Sequence, residues 1–271
     1  MIMVETIIDV SIANGKIDWS QVAASGIKYA MIRCGEGLHD MDPNLEYNVQ
    51  GCKDNNIAFG LYRVLVPKSG DPAGQAQKLL TLSNQHGATL YPAVDVEKNR
   101  ALTPDEQKVW SKFLKDYLAS TTETIVLYTY TAFFPQIKFD GIENYKIWIA
   151  NYGAKTTPSM PGYDIYAWQK SCTGKVQGIS TNVDISELYQ PPAPPQVDIP
   201  VIETEVSTTT EPITPEPVPK DPVEPSAVDQ SANTTSTQIN NPNTKFVNIV
   251  NKILPYVSPI SWIANKFFKK V

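Results

Sequence analysis

The sequence predicts an α/β protein: an irregular (β/α) barrel with helices missing between the last strands, followed by a disordered linker and short C-terminal amphipathic helices. Three observations lead there. Eight short apolar runs rich in β-branched and aromatic residues lie between residues 6 and 188, helical signals separate the first five, and the composition changes abruptly after residue 190. Strand–helix alternation implies parallel strands, because parallel neighbours need a crossover connection.

The runs cover residues 6–12, 29–34, 58–65, 89–96, 124–130, 146–152, 165–169 and 182–188. Helices are expected near 18–24, 44–55 and 72–85, and most clearly over 103–119. There Thr103 can cap, Pro104 suits the first helical position, and Glu106 stands three after the cap, as a capping box requires. Val109, Trp110, Phe113, Leu114, Tyr117 and Leu118 then recur at helical spacing and form one face. The last three runs have no such helix between them. Eight strands in about 190 residues is compact against the ~250 of a full (β/α)8 barrel, so the final third is expected to have lost its helices.

Of the 271 residues, 42% are hydrophobic and 19% charged, enough apolar material for a core. The charge is uneven. Residues 1–190, the expected barrel domain, carry a net −3. Residues 191–244 hold 12 of the 22 prolines at a net −7 and read as an extended, self-repelling spacer. Residues 245–271 carry five lysines and no acid. Phe246, Val247, Ile249, Val250, Ile253 and Leu254 make one apolar stripe before Pro255, and Ile260, Trp262, Ile263, Phe267 and Phe268 a second. Two readings of this basic tail compete: an anchor to an anionic membrane or envelope surface, or a docking or self-association peptide.

Several function classes are disfavoured. No apolar run reaches the roughly 18 residues of a transmembrane helix. The opening MIMVETIIDVS has neither a basic n-region nor a long apolar stretch, so synthesis in the cytoplasm without a Sec signal is expected. Cys34, Cys52 and Cys172 have no C-x-x-C spacing and cannot all pair with one another. Two histidines, His39 and His86, make a His-rich metal site or a Ser/His/Asp triad a poor fit. A net −3 without a basic cluster does not suit nucleic acid. No metal or organic cofactor is called for, and any acid–base chemistry falls to carboxylates.

Four carboxylates end or interrupt apolar runs: Asp9, Asp95, Glu97 and Asp184. Asp95 and Glu97, two apart on one strand, point the same way, roughly 7 Å apart at the α-carbons. That face is either the barrel lumen or the helix layer. Two charges beneath helices would cost several kcal/mol unless paired, whereas the C-terminal mouth of a barrel is where barrel enzymes do chemistry. A carboxyl pair in a semi-apolar cleft suits glycoside hydrolysis, since repulsion and burial leave one acid protonated beside an ionised partner. Taken singly, the acids read more readily as structural: Asp95 and Glu97 as solvated strand-end residues, Asp9 as a turn former and Asp184 as a cap.

At these residues the sequence resembles the family 25 glycoside hydrolases, the lysozyme family of bacteriophages and bacterial wall turnover. The matching segments are Ile8-Asp9-Val10-Ser11, Ile17-Asp18-Trp19 with Val22 and Ser25-Gly26-Ile27, Ala30-Met31-Ile32-Arg33, Gly60-Leu61-Tyr62, Ala93-Val94-Asp95-Val96-Glu97, Ile147-Trp148-Ile149-Ala150-Asn151-Tyr152, Trp168-Gln169, and Gly174-Lys175-Val176-Gln177-Gly178-Ile179 leading to Val183-Asp184. They run in the family's order through about residues 5–189. Two segments depart from its pattern: Ile12-Ala13-Asn14-Gly15, where aromatics are common, and Arg63-Val64, where a His-Phe pair is frequent.

The resemblance implies a β/α barrel that cleaves the β-1,4 bond between N-acetylmuramic acid and N-acetylglucosamine in peptidoglycan, acting at the bacterial cell wall as a phage endolysin or virion-associated lysin. Carried over by position, Glu97 is the general acid. Asp95 orients the substrate's 2-acetamido group or acts as the second carboxylate, and Asp9 and Asp184 line the cleft and set its charge. Tyr62, Trp148, Tyr152 and Trp168 are candidate sugar contacts, each equally readable as barrel core. The alternative is a non-catalytic glycan-binding or envelope-attachment barrel.

Overall fold

The computed structural model describes residues 4–137, 145–189 and 191–192. The expected linker over 191–244, apart from Pro191 and Pro192, and the expected tail over 245–271 lie outside the described residues. In chain order the elements are β1 (Val4–Val10), α1 (Trp19–Ala24), β2 (Tyr29–Glu36), β3 (Asp40–Met41), α2 (Leu45–Asp54), β4 (Ala58–Val64), α3 (Pro72–His86), β5 (Ala93–Asp95), α4 (Pro104–Ala119), β6 (Val126–Tyr130), β7 (Lys146–Ala150), β8 (Asp164–Gly174) and β9 (Val183–Tyr189).

Eight of these strands close into a barrel in the order β1-β9-β8-β7-β6-β5-β4-β2, with β2 pairing back to β1. Neighbours from β1 through β2 and β4 to β8 run parallel. β9 runs antiparallel to both β8 and β1. Only residues 175–182 separate β8 from β9, too few for the dozen or more residues of a parallel crossover, so the last strand has to come back along its neighbour. Among the described residues no α-helix lies after α4, and none is long and apolar enough to cross a membrane.

The helices form where capping and the apolar stripe agree. Thr103 caps α4 from the Glu106 N–H, Glu106 returns a 2.9 Å bond from the Thr103 N–H, and Pro104 fills the first position. Trp110, Leu114, Tyr117 and Leu118 are buried, while Val109 is 56% exposed. The buried face is thus narrower than the six-residue stripe expected, because it centres on Trp110 and Leu114 and leaves Val109 on its flank. Asp71 caps α3 ahead of Pro72, and Asp18 caps α1.

Strand alternation sorts the core into two layers. Ile8, Ala30, Ile32, Leu61, Val94 and Leu127 face outward and pack with Val22, Val49, Leu79 and Leu114 of the helices. Ile7, Met31, Tyr62, Ala93, Tyr128 and Trp148 face inward and fill the lumen.

Three local features differ from expectation. The first strand stops at Val10, because Ser11 caps a 3-10 turn over Ile12–Asn14 and Asn14 Oδ1 accepts the Ser11 N–H at 2.9 Å. The fourth run yields only Ala93–Asp95. Pro92 has no N–H to enter a ladder, and the Thr89 and Leu90 amides bond to Phe59 O instead. The hairpin strand β3 had no sequence signal. It folds back on a bulged end of β2 at Gly35, whose φ of +148° and approach to the Asp40 carbonyl leave no room for a Cβ.

Candidate active site

The inward parity of β1, β5 and β9 brings Asp9, Asp95 and Asp184 to one end of the lumen, and the loop after β5 adds Glu97. Asp9 follows Ile7 on the inner face of β1, and Asp95 follows Ala93 on that of β5. Asp184 lies at the N-terminal end of β9, not at the C-terminal end of a strand as Asp9 and Asp95 do. Because β9 runs backwards, the register pairs Asp184 with Asp9 at the same mouth. Glu97 lies two residues beyond the end of β5 rather than on a shared strand with Asp95. It turns to the same side and lines a cavity of about 420 Å³ with Asn99, Arg100, Tyr128, Tyr130, Asn151 and Tyr152.

The loop carrying Glu97 is held from several directions. Val96 N–H donates to Tyr128 O at 2.8 Å, the Tyr130 hydroxyl donates to Lys98 O at 2.7 Å, and Lys98 Nζ reaches Glu106 at 3.1 Å. Glu97 is 9% exposed and Asp95 1%. Such fixation is what a proton donor requires, since small displacements of a catalytic group are costly.

Electrostatics divides the four acids. Burial lifts Glu97 to about 7, with the Asp9 charge adding to it. Burial also lifts Asp9 to about 7, against the opposing hydrogen bonds from Gln169 and Asp184. Asp95 is raised well above the carboxylate range by burial and then by Glu97 and Asp9, with Arg33 pulling the other way. Asp184 is raised well above it too, by burial and by Asp9, to which its carboxyl is hydrogen-bonded. Glu97 and Asp9 are therefore poised near neutral pH, and Asp95 and Asp184 are both pushed toward the protonated form. Asp95 Oδ1 is closed off from solvent and has no hydrogen-bond partner among the described residues.

The aromatic candidates separate. Tyr152, 39% exposed, stands in the cavity wall beside Glu97. Tyr62 and Trp148 are buried in the lumen and meet edge to face at 6.3 Å, and the Trp148 indole donates to Ser186 Oγ at 2.9 Å. Trp168 faces out of the barrel, buried against Ile147 and Ile149, and its indole N–H donates to Asn151 O. It is the one candidate that the fold sets apart from the carboxylates.

Two elements of the site were not singled out from the sequence. Arg33 faces into the mouth and pairs with Asp42 at 2.8 Å, while Asp42 also accepts the Ile12 and Asn44 amides and so ties down the loop after β1. Gln169, fully buried on β8, donates from Nε2 to Asp9 Oδ2 at 2.9 Å and accepts the hydroxyls of Tyr128 and Tyr152 at 2.8 and 2.6 Å. A lone amide inside an apolar strand is the signal that could have found it, because buried polar groups need partners. Among the described residues, no three His, Cys, Asp or Glu side chains are grouped to hold a metal ion.

Residues 8–179 match the family model described as glycosyl hydrolases family 25. The chain is 28% identical over 185 residues to an autolytic lysozyme of Clostridium acetobutylicum, covering 68% of this chain and 55% of that protein. It is 31% identical over 194 residues to lysozyme M1 of Streptomyces globisporus, covering 65% of each. The chain thus spans between half and two thirds of these relatives. Among solved structures, the bacterial lysozyme from Streptomyces coelicolor superposes with a TM-score of 0.57 at 25% identity, over 68% of this chain and 91% of that one. The modular autolysin LytC of Streptococcus pneumoniae, solved with a synthetic peptidoglycan ligand, shares the fold with a TM-score of 0.59 at 21% identity, over 69% of this chain and 46% of that one.

Proposed function

Since the chain belongs to glycosyl hydrolase family 25, we propose that it is a muramidase hydrolysing the β-1,4 bond between N-acetylmuramic acid and N-acetylglucosamine in bacterial peptidoglycan. The observation that carries this reading is Glu97: a carboxyl fixed in a cavity wall, lifted to about 7 by burial, beside a second carboxyl of equal standing. A neutral carboxylic acid at a sugar-sized opening is what protonation of a glycosidic oxygen needs.

In the reaction, Glu97 gives its proton to the bridging oxygen as the C1–O bond breaks. The carbonyl oxygen of the 2-acetamido group closes on C1, and the positive charge that develops is met by ionised Asp9. Water then attacks C1, loses its proton to Glu97, and releases the sugar with its configuration retained. Asp95, sealed beneath Glu97, fits the role of second carboxylate better than that of a direct contact to the acetamido group. Tyr152 supplies the sugar-facing ring.

Mass analysis of digested peptidoglycan tests the proposal. New reducing ends on N-acetylmuramic acid support it, and binding to walls without release of any sugar would sink it. The narrower reading, a phage lysin whose residues 245–271 attach to an anionic surface, rests on the tail's composition. It predicts that vesicles of anionic lipid retain the full chain better than residues 1–244.

A further inference from the structure

Gln169 stands between the cleft aromatics and the paired carboxyls, and its hydrogen bonds leave little freedom in how its amide points. We propose that Gln169 is a positioning residue that makes Asp9, rather than Asp184, the anion of the carboxyl pair. The inference rests on the muramidase reading, which gives the charge on Asp9 its purpose.

The carbonyl Oε1 of Gln169 accepts two phenol hydroxyls, from Tyr128 at 2.8 Å and Tyr152 at 2.6 Å. Both phenols are held neutral by burial, so each has a proton to give. With its oxygen saturated, the amide has only N–H left on its other side, and that N–H points to Asp9 Oδ2 at 2.9 Å. A fixed donor favours the ionised form of the carboxyl it faces. Among the described residues no amide N–H reaches the Asp184 carboxyl, whose hydrogen bond is to Asp9. The shared proton therefore stays on Asp184 and is donated to Asp9. Were the amide reversed, its oxygen would face Asp9 and favour a proton there.

The other groups around the pair do not make this choice. Asp9 is faced by Tyr62 from β4, by Asp95 at the end of β5, by Glu97 just beyond it, by Tyr128 from β6 and by Tyr152 after β7. These are neutral or negative. Asp184 is faced by Asp9 and Glu97, by Tyr62 and Tyr152, and by the Cys172 thiol of β8, again neutral or negative groups, so these bear on both members of the pair. The cation of the mouth, Arg33 on β2, acts on Asp95 and Tyr62 and is paired with Asp42. Burial differs too, Asp9 being buried and Asp184 half-buried, and by itself favours the anion on Asp184; the amide is the contact that works the other way. It also connects the pair to the cleft, because Tyr152 is both its phenol partner and the exposed ring beside Glu97.

The test is a carboxyl titration of the full chain labelled with 13C-aspartate, followed by NMR in wild type, Gln169→Leu and Tyr128→Phe, with Asp9→Asn assigning the signal. In parallel, kcat/KM on peptidoglycan is measured against pH. The expected result is that Asp9 ionises before Asp184 in wild type. In Gln169→Leu its midpoint moves up by about one pH unit, and the acidic limb of kcat/KM moves with it while KM holds. Tyr128→Phe, which keeps the aromatic core and removes one of the two phenol anchors, moves it less in the same direction and carries the test should Gln169→Leu not fold. An unmoved Asp9 midpoint, or Asp184 ionising first in wild type, would overturn the proposal. A wild-type chain that releases no sugar would sink the muramidase reading alone, since the titration still decides on Gln169.

Discussion

Asp9 and Asp184 come from opposite ends of the barrel's sequence, face each other directly across an antiparallel ladder, and hydrogen-bond carboxyl to carboxyl. The two are not equivalent. Asp184→Asn keeps a neutral donor toward Asp9 and should cost less than about tenfold in kcat, whereas Asp9→Asn removes the anion and should cost about 10²–10³. Initial rates on purified peptidoglycan check this, and equal losses would contradict the assignment.

Glu97→Gln removes the proton donor without changing its size. The kcat should fall by about 10²–10⁴, the range for a general acid, with KM little changed. In wild type the acid works only while protonated, so hydrolysis should decline as pH rises through about 7. A rate that holds level to pH 9 would assign the proton transfer elsewhere.

The same substitution should stabilise the protein. Glu97 has its folded pKa raised from 4.5 to about 7, so the folded state binds a proton more tightly than the unfolded chain does. Its contribution to stability is full below about 4.5 and is lost as pH rises toward 7. Glu97→Gln should therefore gain up to about 3 kcal/mol over wild type at pH 8 and nothing at pH 4. Urea denaturation at the two pH values measures the difference, and the gain at high pH with loss of activity is the usual opposition of stability and function.

Arg63 is fully buried on the outer face of β4, where it donates to the carbonyls of Glu36, Gly37 and Asp40 at 3.1, 2.7 and 2.9 Å and so clips the β2–β3 hairpin. Arg63→Met leaves three carbonyls short of a donor. A loss of about 2–4 kcal/mol is expected, visible as a lower urea midpoint with unchanged slope. This residue stands at one of the two departures from the family's pattern, and its role is to hold a loop at the rim.

Much of this molecule could be read from its sequence, for identifiable reasons. The capping box at Thr103 and Glu106 and the apolar runs are local signals, and local signals survive folding: four helices and eight barrel strands lie where spacing put them. What escaped depends on contacts distant in sequence. Asp184 sits at a strand's beginning because the short 175–182 connection reverses β9, a matter of closure and not of composition. β3 exists only as the partner of a bulge at Gly35. Trp168 and Trp148 look alike as tryptophans in apolar strands, yet the pairing of β7 with β8 turns one outward and the other into the lumen. Gln169 stood in the sequence only as part of a matching segment, and its role emerged once its three partners, from β1, β6 and the loop after β7, were assembled around it.

The reversal of β9 has one more consequence. β1 starts, and β9 finishes, at the end of the barrel away from the carboxylates, where the Tyr29 hydroxyl bonds to Pro192 O at 2.9 Å. Entry to and departure from the barrel thus share the end opposite the carboxylates. A reporter or an affinity handle fused before Val4 or after Pro192 should leave the approach of a long glycan strand unobstructed, which makes both junctions suitable for building chimaeras.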